Sequence, residues 1–184
     1  MSAVEILKKL DGLEIGSIEP LQRILLTTDG TLTEILEAAF LEDIQLIKVS
    51  QQLIPASLYT RFLSDSQEPI LRRNILLHGA TSHRNYVYAE SLIAIHRLGP
   101  EFREQLVNSN IPLGRLWLEH KLETFKQIQH VRCQDANKLS HYFDCADGTR
   151  LLVRTYHVFS AAEPLIAITE YFPASYKSSA AAGL

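Results

Sequence analysis

The order of apolar and polar positions divides the chain into a helical opening and a strand-rich remainder. Val4, Ile6, Leu7 and Leu10 recur at helical spacing as far as Asp11-Gly12, which predicts a first helix and its stop. Pro20 suits the first turn of a second helix through Leu21, Ile24 and Leu25, ended by Asp29-Gly30. Thr31 is expected to N-cap a third helix, with Glu34 as its capping-box partner and Leu32, Ile35, Leu36 and Phe40 as its apolar stripe. From Ile44 the period shortens, and Ile44 to Ile54 predicts a strand, followed by a short helix over Ala56–Leu63. Pro69–His78 and Asn85–His96 predict a long hairpin around the turn-like Gly79–Arg84. After Gly99-Pro100, short helices are expected over Glu101–Val107 and Pro112–Glu119. Strands are then predicted over Leu122–Val131 and Lys138–Phe143, with a turn at Asp147-Gly148. Arg150–Phe159 and Leu165–Phe172 make a second hairpin.

Helices first, then strands with short connections, predict an α+β fold with a mainly antiparallel sheet. A doubly wound parallel sheet would need helical crossovers that the pattern lacks. No repeat or linker interrupts the chain, so one domain is expected over residues 1–176, with a flexible tail over 177–184 that includes SSAAAGL.

Composition narrows the function classes. The 184 residues are 46% hydrophobic and 21% charged, as in a globular domain. Eighteen Lys+Arg against 21 Asp+Glu give a net charge of −3, which argues against a strongly basic nucleic-acid binder. Cys133 and Cys145 have no metal or redox spacing and read as reduced thiols of a cytoplasmic protein. No apolar run is long enough for a membrane span, and MSAVEILKKLDG does not read as a signal peptide. The seven histidines are scattered, and GxGxxG, GxxxxGK[ST], GxSxG and HExxH are all lacking. No metal site is expected. The sequence leaves the oligomeric state open, a monomer included.

Two positions break apolar strands. In LRRNILL, alternation sends Arg72 and Arg73 to opposite faces, and Arg73 shares the parity of Ile75 and Leu77. A buried arginine needs an anionic partner, either an internal glutamate or a ligand carboxylate. In LIAITEYF, Glu170 interrupts the face of Ile166, Ile168 and Phe172. It either pairs with Arg73 or Arg154, or waits for a substrate hydroxyl. Glu90 raises the same question more weakly. An inward arginine and an inward glutamate on one sheet suit a small polar acid in an apolar pocket.

Four blocks in order, LLTTDGTLT (Leu25–Thr33), EPILRRNILL (Glu68–Leu77), PLGR (Pro112–Arg115) and TEYFPAS (Thr169–Ser175), resemble chorismate lyase (chorismate pyruvate-lyase), in its divergent short branch. The resemblance spans roughly residues 20–176. It implies elimination of pyruvate from chorismate to give 4-hydroxybenzoate, without a cofactor, for a quinone pathway or another route. By the same resemblance Arg73 binds the ring carboxylate and Glu170 contacts the ring hydroxyl. Leu113 and Leu32 offer backbone contacts, Leu32 standing where the classical enzyme has a methionine. Glu90 departs from the pattern, lying near a classical arginine. The second carboxylate needs another cation, and Arg115 and Arg154 are both open. The helices near Leu32 and Pro112–Leu118 are expected to close the pocket. The same fold forms the effector domain of UTRA-type regulators, so a non-catalytic binding module for a small acid is the alternative. The absence of a helix-turn-helix pattern favours the enzyme.

Overall fold

A computed structural model describes residues 2–11, 13–55 and 68–176. Three helices lead: α1 (Ala3–Leu7), α2 (Pro20–Thr27) and α3 (Leu32–Phe40). They are followed by β1 (Ile44–Ile54), β2 (Ile70–Gly79), β3 (Asn85–Ile93), α4 (Pro100–Asn108), α5 (Leu113–Glu119), β4 (Phe125–Asp135), α6 (Ser140–Phe143), β5 (Arg150–Ser160) and β6 (Glu163–Pro173). The six strands form one antiparallel sheet in the order β1-β2-β3-β6-β5-β4. The fold is α+β, as the alternation of the sequence predicts, and both hairpins are present.

Three local expectations need correction or restriction. Lys138–Phe143 is helical rather than a strand: a one-turn helix over Asn137–Leu139 runs into α6. Asn137 and Asp144, both at positive φ, bracket the segment. α6 lays Tyr142 flat on Tyr88, with ring centroids 4.9 Å apart, and so covers the sheet's outer face. Thr31 stands at the N-cap of α3, but its side chain makes no cap bond. The capping box lies instead at α1, between Ser2 and Glu5. The expected helix Ala56–Leu63 and the tail 177–184 fall outside the described residues.

The inner face of the sheet is covered by two separate helical groups. α1–α3 pack with Leu77, Val87, Val131, Leu152 and Phe172 in one apolar cluster. α4 and α5 pack with Leu71, Ile93, Val158 and Ile166 in another. Cross-strand register runs two rows of side chains between these clusters. One row is Ile75, Ala89, Glu170, Arg154 and Val131; the next is Arg73, Ser91, Ile168, Tyr156 and Ile128. The inward polar residues therefore occupy the seam where neither helical group closes fully on the sheet.

A second polar junction pins β1 to the β2–β3 turn. The Glu42 carboxylate accepts from Tyr86 Oη–H (2.5 Å) and from the Thr81 and Ser82 amides (2.8 Å each). These bonds, Tyr86 foremost and then Ser82, hold the Glu42 carboxyl down at about 2.

Candidate functional site

The seam holds a cavity. Its floor is the sheet, through Arg73, Ile75, Leu77, Val87, Ala89, Ser91, Tyr156, Ile168 and Glu170. Its roof comes from Gly30–Thr33 at the start of α3, Pro112–Gly114 and Trp117 around α5, and Lys126 of β4. Leu32 and Leu113 both line it.

LLTTDGTLT builds the first half of the roof. Thr28 ends α2 as its C-cap, and its Oγ1 accepts from the Gly30 amide at 2.9 Å. The chain thus reverses tightly, and α3 starts over the cavity. PLGR builds the second half. A Cβ on Gly114 would stand 2.6 Å from Thr31 Cγ2, so only glycine lets the two helix starts meet without displacement.

Arg73 comes from β2 with the parity expected of it. It is 2% exposed, and its Nε and Nη2 find no partner among the described residues. Ser91 Oγ donates to the Arg73 carbonyl, not to its guanidinium. Burial lowers Arg73 from the ordinary arginine value to about 10, so it stays charged at neutral pH. Arg72 follows the opposite parity, opposite Gln52 and Leu92, as does Glu90, which accepts from Tyr88 Oη–H at 3.2 Å on the outer face.

Glu170 is 7% exposed and takes the other internal option. Its partner is Arg154, not Arg73. Arg154 Nε–H donates to Glu170 Oε2 at 2.5 Å, and Tyr156 Oη–H donates to Oε1 at 3.0 Å. Arg154 also donates from Nη1 to the Thr28 carbonyl at the end of α2, at 2.9 Å. Burial is the largest single influence and opposes the Arg154 charge, but Glu170 and Tyr156 together outweigh it and raise the Arg154 pKa. Burial and Glu170 together push the Tyr156 hydroxyl well above its ordinary value.

Arg73 and Glu170 lie on strands that flank β3, opposite Ser91 and Ala89 respectively. At about 4.8 Å per strand and 3.4 Å per residue, their Cα atoms are about 12 Å apart. Two inward side chains spanning that gap leave room for one substituted six-membered ring. The cavity is also rich in donors that lack partners among the described residues: Arg73 Nε and Nη2, Trp117 Nε1 and the Thr31 hydroxyl. Such a lining calls for a ligand with many acceptor oxygens.

Of the residues the sequence singled out, the structure brings Arg73, Glu170, Leu32 and Leu113 to the cavity. Arg154 stands behind Glu170 as its counter-ion. Arg115 is not part of the lining: its side chain is 51% exposed, and Nη2–H reaches Glu37 Oε1 at 3.3 Å. α5 turns Leu116 and Trp117 inward, which leaves Arg115 on the solvent side. Tyr156, Trp117 and Lys126 are polar or aromatic lining residues that the sequence pattern did not single out. Tyr156 had a usable signal, since it shares the parity of Arg154 and Val158.

A six-stranded antiparallel sheet with helices over an inner polar seam is the fold of the chorismate lyase-like and UTRA class of domain. The effector domain of PhnF from Mycobacterium smegmatis has this fold, with a TM-score of 0.60 and 15% identity over 78% of this chain and 88% of that one. At such identity the likeness concerns the fold alone. Sequence comparison is more specific. The model of the family described as "Chorismate pyruvate-lyase Rv2949c-like" matches residues 26–179. A chorismate pyruvate-lyase of Mycobacterium leprae is 32% identical over 161 residues, 86% of this chain and 77% of the relative. One from Mycobacterium tuberculosis is 31% identical over 167 residues, 86% of this chain and 82% of the relative. The chain belongs to the Rv2949c-like chorismate pyruvate-lyase family.

Proposed function

We propose that the protein is a cofactor-independent lyase that converts chorismate to 4-hydroxybenzoate and pyruvate. The observation that carries this reading is Arg73: a buried cation facing a cavity, with donors that have no partner among the described residues, on a chain from this family. In the proposed complex Arg73 holds the ring carboxylate as a charge-assisted pair. Glu170 accepts from the ring hydroxyl with the lone pairs that Arg154 and Tyr156 leave open. The amides at the starts of α3 and α5, at Leu32 and Leu113, complete the grip.

The chemistry asks little more of the protein. The ring carbon bearing the hydroxyl loses its proton while the neighbouring carbon–oxygen bond breaks. The electrons of the C–H bond complete the aromatic ring, and those of the C–O bond leave with the enolpyruvyl group. That group takes up a proton at its methylene carbon and becomes pyruvate. Aromatisation supplies the driving force, so neither a strong base nor an electron sink is required. The residues contribute by selecting the reactive conformer and matching its charge.

The test is to mix purified protein with chorismate and follow pyruvate through a coupled dehydrogenase, with 4-hydroxybenzoate identified by chromatography. Both products in equal amounts support the reading. Chorismate binding without pyruvate release would overturn it and leave a non-catalytic acid-binding module.

A further inference from the structure

Chorismate carries two carboxylates and 4-hydroxybenzoate only one. Arg73 meets the first. Of the two arginines that sequence left open for the second, Arg115 pairs with Glu37 outside the cavity and Arg154 is held by Glu170 and the Thr28 carbonyl. Lys48 lies beyond the lining and donates to the Val107 carbonyl.

One other cation lines the cavity among the described residues. Lys126 projects from β4, four strand positions from Arg73 in the sheet order, and its Nζ–H donates to the Gly30 carbonyl at 2.8 Å. That bond uses one of three ammonium donors. Nζ lies 5.5 Å from the Trp117 ring centroid and 5.7 Å from that of Tyr156. Beside it are the Trp117 indole, 7% exposed with an unpartnered Nε1–H, and the unpartnered Thr31 hydroxyl. Lys126, Trp117, Thr31, Gly30 and Gly114 also line an outer recess that opens next to the cavity. The lysine thus stands where the cavity meets the outside.

We infer that Lys126, with Trp117 Nε1 and Thr31 Oγ1, forms the subsite for the enolpyruvyl carboxylate, at the opposite end of the cavity from Arg73. This inference rests on the lyase reading and adds to it a division of labour. Arg73 recognises substrate and product alike, whereas Lys126 recognises only the substrate. Once pyruvate has departed, the Lys126 end has no anion to hold, and the product is retained by Arg73 and Glu170 alone.

The electrostatics agree. Burial and then Arg154 pull Lys126 down to about 8, against the opposing pull of Glu170 and Asp29. Among the described residues, the charged or titratable groups around it are Arg154 and Tyr156 of β5, Glu170 of β6, Asp29 before α3 and Glu34 of α3, which lines the same outer recess. A ligand carboxylate would raise that value again.

The experiment compares wild type, Lys126→Met and Lys126→Arg, measuring KM for chorismate and inhibition by 4-hydroxybenzoate. Lys126→Met should raise KM about ten- to a hundredfold, as loss of a charge-assisted bond does, and leave 4-hydroxybenzoate inhibition unchanged. Unchanged inhibition also certifies the fold. Wild-type kcat/KM should fall as pH rises through about 8, and Lys126→Arg should keep its affinity while losing that fall. A Lys126→Met variant with wild-type KM, or with product inhibition weakened in the same proportion, overturns the subsite alone. A wild-type protein that releases no pyruvate overturns the lyase reading, and the subsite with it.

Discussion

Arg73→Met separates binding from stability. Arg73 is 2% exposed and leaves two nitrogens unpartnered among the described residues. Its fall to about 10 from the ordinary arginine value, at about 1.4 kcal/mol per pH unit, corresponds to about 3 kcal/mol of lost solvation for which the described residues supply no compensating partner. Methionine is unbranched and of similar reach, and the imperfect fit costs about 1 kcal/mol. The variant should therefore be more stable than the parent by up to about 2 kcal/mol, or up to about 8 °C in melting temperature for a domain of this size. Its affinity should move the other way. Loss of a charge-assisted bond of about 1.5–3 kcal/mol weakens 4-hydroxybenzoate about ten- to 150-fold. Thermal melting with and without 4-hydroxybenzoate reads both effects. The parent should be shifted upward by the ligand, whereas the variant should start at or above the parent and hardly shift. Arg72→Ala, on the opposite face, should keep the ligand shift. A variant that melts well below the parent yet keeps its ligand shift would refute the reasoning, because Arg73 would then be a structural residue whose partner lies within the fold.

Glu170→Gln should behave in the opposite sense, because it strands the Arg154 charge. Breaking such a buried pair costs about 3–5 kcal/mol, about 6–20 °C in melting temperature, and adding Arg154→Met should recover most of it; unchanged melting of the single variant would contradict the pairing. Gly114→Ala should raise KM for chorismate with little change in circular dichroism, since its Cβ meets Thr31 Cγ2 at 2.6 Å. Thr31→Ser in the same chain removes that methyl and should restore KM; failure of this rescue would show that the two helix starts do not meet as described. Glu42 titrates at about 2 in the folded protein against 4.5 for a free side chain, so its contribution is complete above pH 4.5 and is lost as pH falls toward 2. Urea titrations down that range should show a shallower loss for Glu42→Gln than for the parent, and parallel curves would exclude the junction with Tyr86.

The inward arginine and glutamate were legible because each interrupts an otherwise apolar face, and alternation alone placed Arg73 inside and Arg72 outside. What pairs with what was not legible, because it depends on irregularities. Ser160 faces Glu163 and Phe159 faces Pro164 at the tip of the β5–β6 hairpin, but the register shifts between Val158 and Phe159. Extended from the tip without that shift, Arg154 would face Thr169 instead of Glu170. Lys126 escaped for the same reason. Val131 and Cys133 belong to the inner cluster, and simple alternation back from them turns Lys126 to solvent. The bulge between Ile128 and His130 reverses the parity and brings Lys126 in. Lys138–Phe143 was misread because what settles it as a helix is the stacking of Tyr142 on Tyr88, a partner far away in sequence.

The sheet order has a consequence for assembly. Each half is knit by neighbours in sequence, β1-β2-β3 on one side and β4-β5-β6 on the other. The halves join only through β3 and β6, from Tyr88–Tyr171 to Ile93–Ile166. Arg73 belongs to the first half; Glu170, Arg154, Tyr156 and Lys126 belong to the second. Closing that junction spans the longest loop in the sheet, so it comes late and slowly. Neither half alone carries a binding site. A ligand held at both ends clasps the two halves together, and it should retard unfolding more than it speeds folding. Amide exchange at Ala89–Ile93 and Ile166–Glu170 should slow most when the cavity fills.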